Sequence, residues 1–198
     1  MSGETPGLTI VGVKRVVDIA GALAGLVLLS PLLLGLAVAV RLESPGPALH
    51  WSKRIGRYNR IFRMPKFRTM RIGTPDVATH LLADPEAWVT PLGRMLRRTS
   101  LDELPQLWSV LVGHMSLVGP RPALFNQDDL VALRTAVGVE ILRPGLTGWA
   151  QINGRDELPM PEKVKLDREY LERRSLAFDL KIIAGTARAA VTGRGVSH

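Results

Sequence analysis

The longest apolar stretch of the chain lies near its start, where Ile19 to Val40 form about 22 residues without a charge. A straight helix of that length is long enough to cross a bilayer. Ser30-Pro31 lies at the middle of the stretch, and a proline inside a helix removes a backbone donor and clashes with the preceding turn. The pattern therefore predicts a kink at Ser30-Pro31 between two arms of about 11 residues, each only about 16 Å long.

Basic residues flank the apolar stretch on both sides, with Lys14 and Arg15 before it and Arg41 after it. Positive flanks are retained in the cytoplasm, which favours a re-entrant helix that turns back at Ser30-Pro31. A single spanning helix, an uncleaved signal anchor and a buried helix of a soluble protein remain alternatives. Asp18, at the edge of the stretch, is expected to lie at the membrane interface or to pair with Lys14 or Arg15.

The remaining chain alternates short apolar runs with turns, a pattern typical of a mostly α domain with a small β-hairpin (α+β). Ala48–Trp51 and Arg60–Met64 flank the turn Gly56–Asn59 and predict that hairpin. The polar stretch 73–91 predicts a loop with one short helix. Further helices are expected over 92–98, 107–112, 128–141, 162–174 and 176–191, with an extended segment at 115–118. The helix over 92–98 is amphipathic, so it either lies at the membrane interface or packs against the domain.

This pattern divides the chain into an N-terminal segment with a re-entrant helix (1–43) and one continuous cytoplasmic domain (44–198). The formal net charge of +8 and the pI near 10.6 indicate an acidic partner: nucleic acid, anionic lipid or a phosphorylated substrate. The absence of cysteine excludes disulfides, thiolate metal sites and a cysteine nucleophile. The four histidines are far apart and show no metal-ligand spacing.

Much of the positive charge follows the apolar stretch directly. Between Ser44 and Pro75 there is no acidic residue, and the basic residues are Lys53, Arg54, Arg57, Arg60, Arg63, Lys66, Arg68 and Arg71. Next to a membrane segment, a surface for anionic lipid or phosphate is the favoured interpretation. A nucleic-acid surface and a merely solvated face are the alternatives.

Two adjacent carboxylates, Asp102 and Glu103, follow a basic cluster that contains Arg94, Arg97 and Arg98. Ser100 and Glu103 have the spacing of a capping box, which would start a helix at Ser100. Alternatively the helix starts at Pro105, and the acids lie just ahead of it. Both arrangements place the acids at the positive end of a helix dipole, where their ionised forms are favoured. Ordinary first-turn acids would show the same pattern.

Two later segments contain arginines. In the first, prolines restrict the backbone, and in the second, glycines give it unusual conformational freedom. In Gly119-Pro120-Arg121-Pro122 the prolines Pro120 and Pro122 fix the chain around Arg121, which suits a clamp for phosphate oxygens. The loop from Arg143 to Arg155 contains Gly145 and Gly154, which permit close approach of a ligand, and its arginines supply charge. Neither segment matches a Walker loop or a dinucleotide-binding fingerprint.

Together these segments resemble the small monotopic phosphoglycosyl transferases, bacterial sugar transferases that start glycan assembly on a polyprenol carrier. The resemblance extends over about Lys14 to Val196, in the family's order. It is carried by Lys14-Arg15 with Asp18, Ser30-Pro31, Lys66-Phe67-Arg68-Thr69-Met70, Ser100 to Gln106, Gly119 to Pro122, Arg143-Pro144-Gly145 and Asn153-Gly154-Arg155. Larger members have an additional N-terminal membrane bundle, so this chain is expected to correspond to their catalytic core.

The resemblance implies that sugar-1-phosphate passes from a UDP-sugar to undecaprenyl phosphate, giving undecaprenyl-diphosphate-sugar and UMP. Asp102 is then the nucleophile that forms a phosphosugar-aspartyl intermediate, and Glu103 binds Mg²⁺. The implied phosphate-binding residues are Arg97 (in preference to Arg98), Arg121, Arg155 and Lys66, supported by Pro120, Pro122, Gly145 and Gly154. Lys14 and Arg15 are expected to face lipid headgroups. The implied location is the cytoplasmic face of the bacterial inner membrane.

Two other functions fit the same sequence. One is an inactive membrane-anchored scaffold of the same fold, against which the intact Asp102-Glu103 pair argues. The other is a membrane-anchored, basic nucleic-acid-binding module, whose affinity would fall steeply with salt; we expect no nucleic-acid partner. The sequence distinguishes neither an N-acetylated deoxy-sugar from galactose or glucose, nor a monomer from an oligomer.

Overall fold

The computed structural model of the chain describes residues 6–74, 84–154 and 158–192. These residues are mostly helical, as predicted, with an antiparallel hairpin and a second, parallel pair of strands. The helices are α1 (Pro6–Leu28), α2 (Ser30–Glu43), α3 (Pro85–Trp88), α4 (Pro91–Thr99), α5 (Gln106–Val112), α6 (Asp128–Ala136), α7 (Trp149–Ile152), α8 (Met160–Arg173) and α9 (Leu176–Thr192). The strands are β1 (Leu49–Ile55), β2 (Ile61–Phe67), β3 (Ser116–Val118) and β4 (Gly145–Thr147).

The predicted break in the apolar stretch is confirmed. The helices α1 and α2 meet at Leu29 with a bend of 62°. Pro31, in the first turn of α2, has no N–H to continue the ladder, and the Ser30 hydroxyl donates to the Val27 carbonyl across the bend at 2.8 Å. Within the described ranges, no single helix is long and apolar enough to span a membrane, whereas the bent pair passes the same test when taken together.

The bent pair has one face packed against the rest of the chain and one apolar face directed outward. On the packed face, Ala22 joins a cluster with Phe62, Met64, Leu107, Val110 and Met115, and α2 joins a second cluster with Phe67 and Leu96. On the outward face, Leu28 is 77% exposed and Leu34 is 69% exposed. An apolar surface of this extent is typical of a contact with lipid or protein.

Strands β1 and β2 form the predicted hairpin, with Leu49 opposite Phe67 and Ile55 opposite Ile61. The amphipathic helix predicted over 92–98 is α4, and it packs against the domain because Leu96 is fully buried beside α2. Thr90 caps α4 by accepting from the Gly93 N–H at 3.0 Å. A Cβ on Gly93 would lie 2.1 Å from the Thr69 carbonyl oxygen, so glycine is required for α4 to lie against the end of β2.

The extended segment predicted at 115–118 is β3, which pairs in parallel with β4. Its partner lies inside the predicted glycine loop, and this corrects the role expected for Gly145. A Cβ on Gly145 would lie 2.1 Å from the Gly119 nitrogen, so the close approach involves two segments of this chain. The predicted helix over 128–141 is also too long: α6 ends at Ala136, and 139–141 form a separate 3-10 turn.

The basic residues in the first half of α1, Lys14 and Arg15, are held by protein groups, which corrects their expected positions. Lys14 pairs with Asp179 of α9 at 2.5 Å. Arg15 donates to the carbonyls of Val110 and Leu111 at 2.7 and 2.9 Å, at the carbonyl end of α5, where a cation is favoured. Both side chains are therefore engaged by groups of the protein itself.

Asp18, predicted to lie at the interface or to pair with Lys14 or Arg15, is buried instead. Its carboxylate accepts from the Ser116 hydroxyl at 3.0 Å and from the Leu117 N–H at 2.9 Å, both in β3. Nearby, the Tyr170 hydroxyl donates to Asp179 at 2.7 Å, and burial together with Asp179 raises its pKa, so it remains protonated. These contacts tie α1 to β3, α8 and α9.

Candidate active site

The acidic pair lies in a short 3-10 turn, Leu101–Glu103, between α4 and α5. The predicted capping box is wrong, because Ser100 adopts a left-handed conformation (φ 56°), ends α4 and makes no side-chain capping bond to the turn. The alternative is confirmed: the next helix begins at Gln106, directly after Pro105, and the acids lie just ahead of its N-terminus. The turn buries Asp102 (7% exposed) and leaves Glu103 only partly covered.

Lys66, at the end of β2, is close enough to both acids for their charges to act on its ammonium group. Burial, followed by the positive charges of Arg54 and Arg97, lowers the Lys66 pKa to about 8, whereas Asp102 and Glu103 oppose this shift. The hairpin therefore brings to the acids a cation that loses its charge as the pH rises through about 8. The sequence predicted Lys66 as a phosphate ligand but not this titration.

Of the two neighbouring arginines in α4, the structure brings Arg97 to the acids and leaves Arg98 exposed on the surface. The Arg97 Nε donates to the Thr69 hydroxyl at 2.9 Å. Burial lowers the Arg97 pKa, and the charge of Asp102 opposes this shift, so the guanidinium stays charged beside the carboxylate. Thr69 therefore helps to orient Arg97, and the sequence indicated Thr69 only as part of the segment Lys66 to Met70.

Arg121 reaches Glu103, with the guanidinium Nη2 at 3.0 Å from the carboxylate Oε1. The segment that carries it, residues 119–122, is called the arginine clamp below. Its backbone is anchored to β4, because the Gly119 N–H donates to Thr147 and the Pro120 carbonyl accepts from Gly145, both at 2.9 Å. The predicted clamp therefore has a rigid backbone, and its arginine points at the acidic pair.

A cavity of about 300 Å³ opens between the hairpin, α4 and the segment that follows the clamp. Its lining includes Lys66 and Arg97, and no carboxylate is among the described residues that line it. The other cationic side chains of the lining are Lys53, Arg54, Arg68 and Arg71. Arg68 is engaged by the carbonyls of Ser44 and Pro45 after α2, both at 2.6 Å. A basic cavity beside the buried Asp102 is suited to a ligand with several negative charges.

The structure describes the loop that begins at Arg143 only as far as Gly154. Arg155, predicted to contact phosphate, lies outside the described residues. Gly154 has φ 145°, and a Cβ there would lie 2.8 Å from the Leu158 side chain, so its close neighbour is again a residue of this chain. Lys14 and Arg15 are committed to the internal contacts described above.

The family resemblance implies a magnesium ion at this site. Among the described residues, no cluster of three or more His, Asp or Glu side chains has metal-binding geometry. Mg²⁺ in phosphate-transferring sites is commonly held by one or two carboxylates, with substrate phosphates and water as the other ligands. Glu103, partly exposed beside Asp102, fits that limited requirement.

The match to known proteins agrees with this site. A family model described as bacterial sugar transferase matches residues 9–193, which is nearly the whole chain. The protein therefore belongs to the bacterial sugar transferase family. The acidic turn and the arginine clamp lie inside the matched region, as does the bent helix pair apart from the first three residues of α1.

Several curated relatives are about 40% identical to this chain over the aligned residues. A UDP-glucose:undecaprenyl-phosphate glucose-1-phosphate transferase of Caulobacter vibrioides is 42% identical over 96% of this chain and 74% of its own length. An uncharacterized sugar transferase, EpsL, of Bacillus subtilis is 39% identical over 93% of this chain and 90% of its own length.

A longer relative differs in the sugar named. A UDP-N-acetylgalactosamine-undecaprenyl-phosphate N-acetylgalactosaminephosphotransferase of Aeromonas hydrophila is 38% identical over 92% of this chain, which spans 44% of that protein. The chain therefore corresponds to less than half of this relative.

Proposed function

We propose that this protein transfers a sugar-1-phosphate from a UDP-sugar to undecaprenyl phosphate, an early membrane step of bacterial glycan assembly. The observation that carries the proposal is the buried Asp102 beside Lys66 and Arg97, with Glu103 paired to Arg121, next to a basic cavity. The names of the relatives support the substrate classes. A nucleic-acid-binding module would not require a carboxylate held in this setting.

In the first step, an Asp102 carboxylate oxygen attacks the β-phosphorus of the UDP-sugar. The bond between this phosphorus and the bridging oxygen breaks, UMP leaves with the electron pair, and a phosphosugar-aspartyl intermediate remains. Lys66 and Arg97 stabilise the negative charge that moves onto the leaving group and the phosphoryl oxygens. The burial of Asp102 limits its hydration, which keeps the carboxylate reactive.

In the second step, an oxygen of undecaprenyl phosphate attacks the same phosphorus and releases the Asp102 carboxylate. The products of the two steps are UMP and undecaprenyl-diphosphate-sugar, and the enzyme is regenerated. A bound Mg²⁺, held in part by Glu103, would neutralise phosphate charge during both displacements. Arg121 orients Glu103 and contributes its own positive charge.

The bent helix pair is suited to bringing a lipid-linked acceptor to this site. We propose that α1 and α2 form a re-entrant element in the inner membrane and that the remaining chain lies on its cytoplasmic face. The outward apolar surface and the 62° bend support this arrangement. The acceptor phosphate would then be presented at the membrane surface, where a soluble UDP-sugar is also accessible.

The proposed reaction is tested by incubating purified protein with Mg²⁺, undecaprenyl phosphate and each member of a UDP-sugar panel. At least one UDP-sugar should release UMP in amounts equal to the lipid-linked sugar formed. Because relatives name glucose and N-acetylgalactosamine, both belong in the panel. Release of free sugar phosphate without lipid product, or no release from any UDP-sugar, would argue against the proposal.

The lowered pKa of Lys66 predicts a pH dependence. The ammonium loses its proton as the pH rises through about 8, so kcat/KM for the UDP-sugar should fall about tenfold between pH 7 and pH 9. Lys66→Arg keeps its charge over this range, and its kcat/KM should stay nearly flat. The same decline in Lys66→Arg would show that another group is responsible.

The proposed topology predicts that both ends of the chain are cytoplasmic. The protein contains no cysteine, so single cysteines introduced at Gly3 and at the exposed Ala177 can be labelled selectively. In intact cells, a membrane-impermeant maleimide should label neither position, and permeabilisation should expose both. Labelling of Gly3→Cys alone from outside would establish a spanning helix instead.

A further inference from the structure

Arg134, on α6, is a buried arginine that the proposed reaction does not use directly. Its side chain is 10% exposed, and its Nε and Nη2 donate to one oxygen of Asp167 on α8, at 2.9 and 2.6 Å. Its third nitrogen, Nη1, donates to the backbone carbonyl of Arg121 at 2.9 Å. The guanidinium therefore joins two helices to the arginine clamp.

Four successive backbone carbonyls accept hydrogen bonds here, three of them in the arginine clamp (120–122) and the fourth on Ala123 directly after it. Those of Pro120 and Ala123 accept from backbone N–H groups of Gly145 and Ile55, at 2.9 and 3.0 Å. Between them, the Arg121 carbonyl accepts from Arg134, and the Pro122 carbonyl accepts from Arg54 Nη1 at 3.2 Å. The two inner carbonyls are therefore bound by arginine side chains, and the two outer carbonyls are bound by backbone N–H groups.

Burying the Arg134–Asp167 pair costs desolvation free energy. Burial raises the Asp167 pKa, and Arg134 opposes that shift through its charge and its hydrogen bonds. Replacing such a buried pair by apolar residues of similar volume is often neutral or stabilising, because desolvation offsets much of the attraction. Stability alone therefore gives a weak reason for an arginine here, whereas the bond to the Arg121 carbonyl gives a specific one.

We propose that Arg134, oriented by Asp167, is a positioning residue that fixes the Arg121 backbone and so aims the Arg121 guanidinium at Glu103 and the substrate diphosphate. This inference rests on the proposed function for the identity of the ligand. Displacement of a catalytic group by about 1 Å can cost about a hundredfold in rate, so an anchor on the backbone of Arg121 has a measurable consequence.

The test replaces the pair by apolar residues of similar size, Arg134→Met with Asp167→Leu, in the full chain. The fold should survive, and the melting temperature should lie within a few degrees of that of the unaltered protein. Binding of UDP, used as a non-reacting probe with Mg²⁺ present, should weaken about tenfold by isothermal titration. The fitted stoichiometry reports the fraction of folded protein, and the Kd reports the site itself.

The same two substitutions are then made in an Arg121→Ala background. If Arg134 acts through Arg121, they should weaken UDP binding less than twofold there, because the group that they position is absent. An equal loss in both backgrounds would overturn the proposal, as would unchanged binding in the Met-Leu variant. If that variant does not fold, Arg134→Lys, which keeps the charge but lacks the fork, is compared in the same two backgrounds.

These outcomes separate the inference from the proposed function. Normal UDP binding without phosphosugar transfer in the unaltered chain would count against the transferase proposal. The dependence of UDP binding on Arg134, and its disappearance without Arg121, is measured without any turnover.

Discussion

Asp102→Asn should abolish UMP release, with a loss of at least about a thousandfold, because a carboxamide cannot serve as the nucleophile in a covalent displacement. Asparagine has nearly the same shape as aspartate. The 3-10 turn that carries residue 102 is held between the end of α4 and the start of α5. The variant should therefore fold normally and still bind UDP. The measurement is UMP release from the UDP-sugar selected from the panel.

The intermediate provides a second readout of the same prediction. With radiolabelled UDP-sugar and no lipid acceptor, the unaltered protein should retain label after denaturation, and Asp102→Asn should retain none. Asp128→Asn is a matched control, since Asp128 is an exposed acid in the first turn of α6. Turnover by Asp102→Asn near that of the control would exclude Asp102 as the nucleophile.

Arg121→Ala should lower kcat/KM by about a hundredfold to a thousandfold, the usual effect of removing one preorganised donor for transition-state charge. The variant also deprives Glu103 of the ion pair at 3.0 Å, so its Mg²⁺ requirement should change as well. The loss should not come from unfolding, because the arginine clamp is held through backbone atoms that alanine retains. Steady-state kinetics over a range of Mg²⁺ concentrations measures both effects.

Two variants sharpen this result. Arg121→Lys keeps a positive charge but loses the planar fork of donors, so it should recover only part of the activity. Arg98→Ala removes a charge from the exposed face of α4 and should change kcat/KM less than threefold. A large effect of Arg98→Ala would indicate that Arg98, and not Arg97, faces the substrate phosphates.

Local signals were sufficient to predict much of the fold. The kink follows from a proline in an apolar helix, and the hairpin follows from two short strands around a turn. The turn before α5 was also visible as the second of two possible helix starts. In each case the decisive interaction joins residues close in sequence, so the sequence pattern contains it.

The wrong predictions for Gly145, Lys14, Arg15 and Asp18 involve partners that are distant in sequence. Gly145 has a flexible-loop composition, yet it is a strand residue because its neighbour is Gly119. Lys14, Arg15 and Asp18 resemble interface charges next to an apolar stretch, but their partners belong to α5, β3 and α9. Sequence spacing gives no information about such pairs.

In the candidate site, too, contacts between neighbouring residues could be predicted and contacts between distant residues could not. Asp102 and Glu103 are adjacent in sequence, so their pairing needs no tertiary information. Arg121 was found through its flanking prolines, but its contact with Glu103 depends on the strand that carries it. Arg134 gives no signal in the sequence, because an arginine in the last turn of a helix normally lies in solvent.

The contact between Lys14 and Asp179 has a consequence for biosynthesis. The two residues are 165 positions apart, and at about 5–20 residues per second α9 is synthesised about 8–33 s after the start of α1. Throughout that interval the Lys14 ammonium lacks this counter-ion, and Asp18 lacks its β3 donors until residue 117 has been made. The contacts that hold α1 against β3 and α9 can therefore be complete only after α9 has been synthesised.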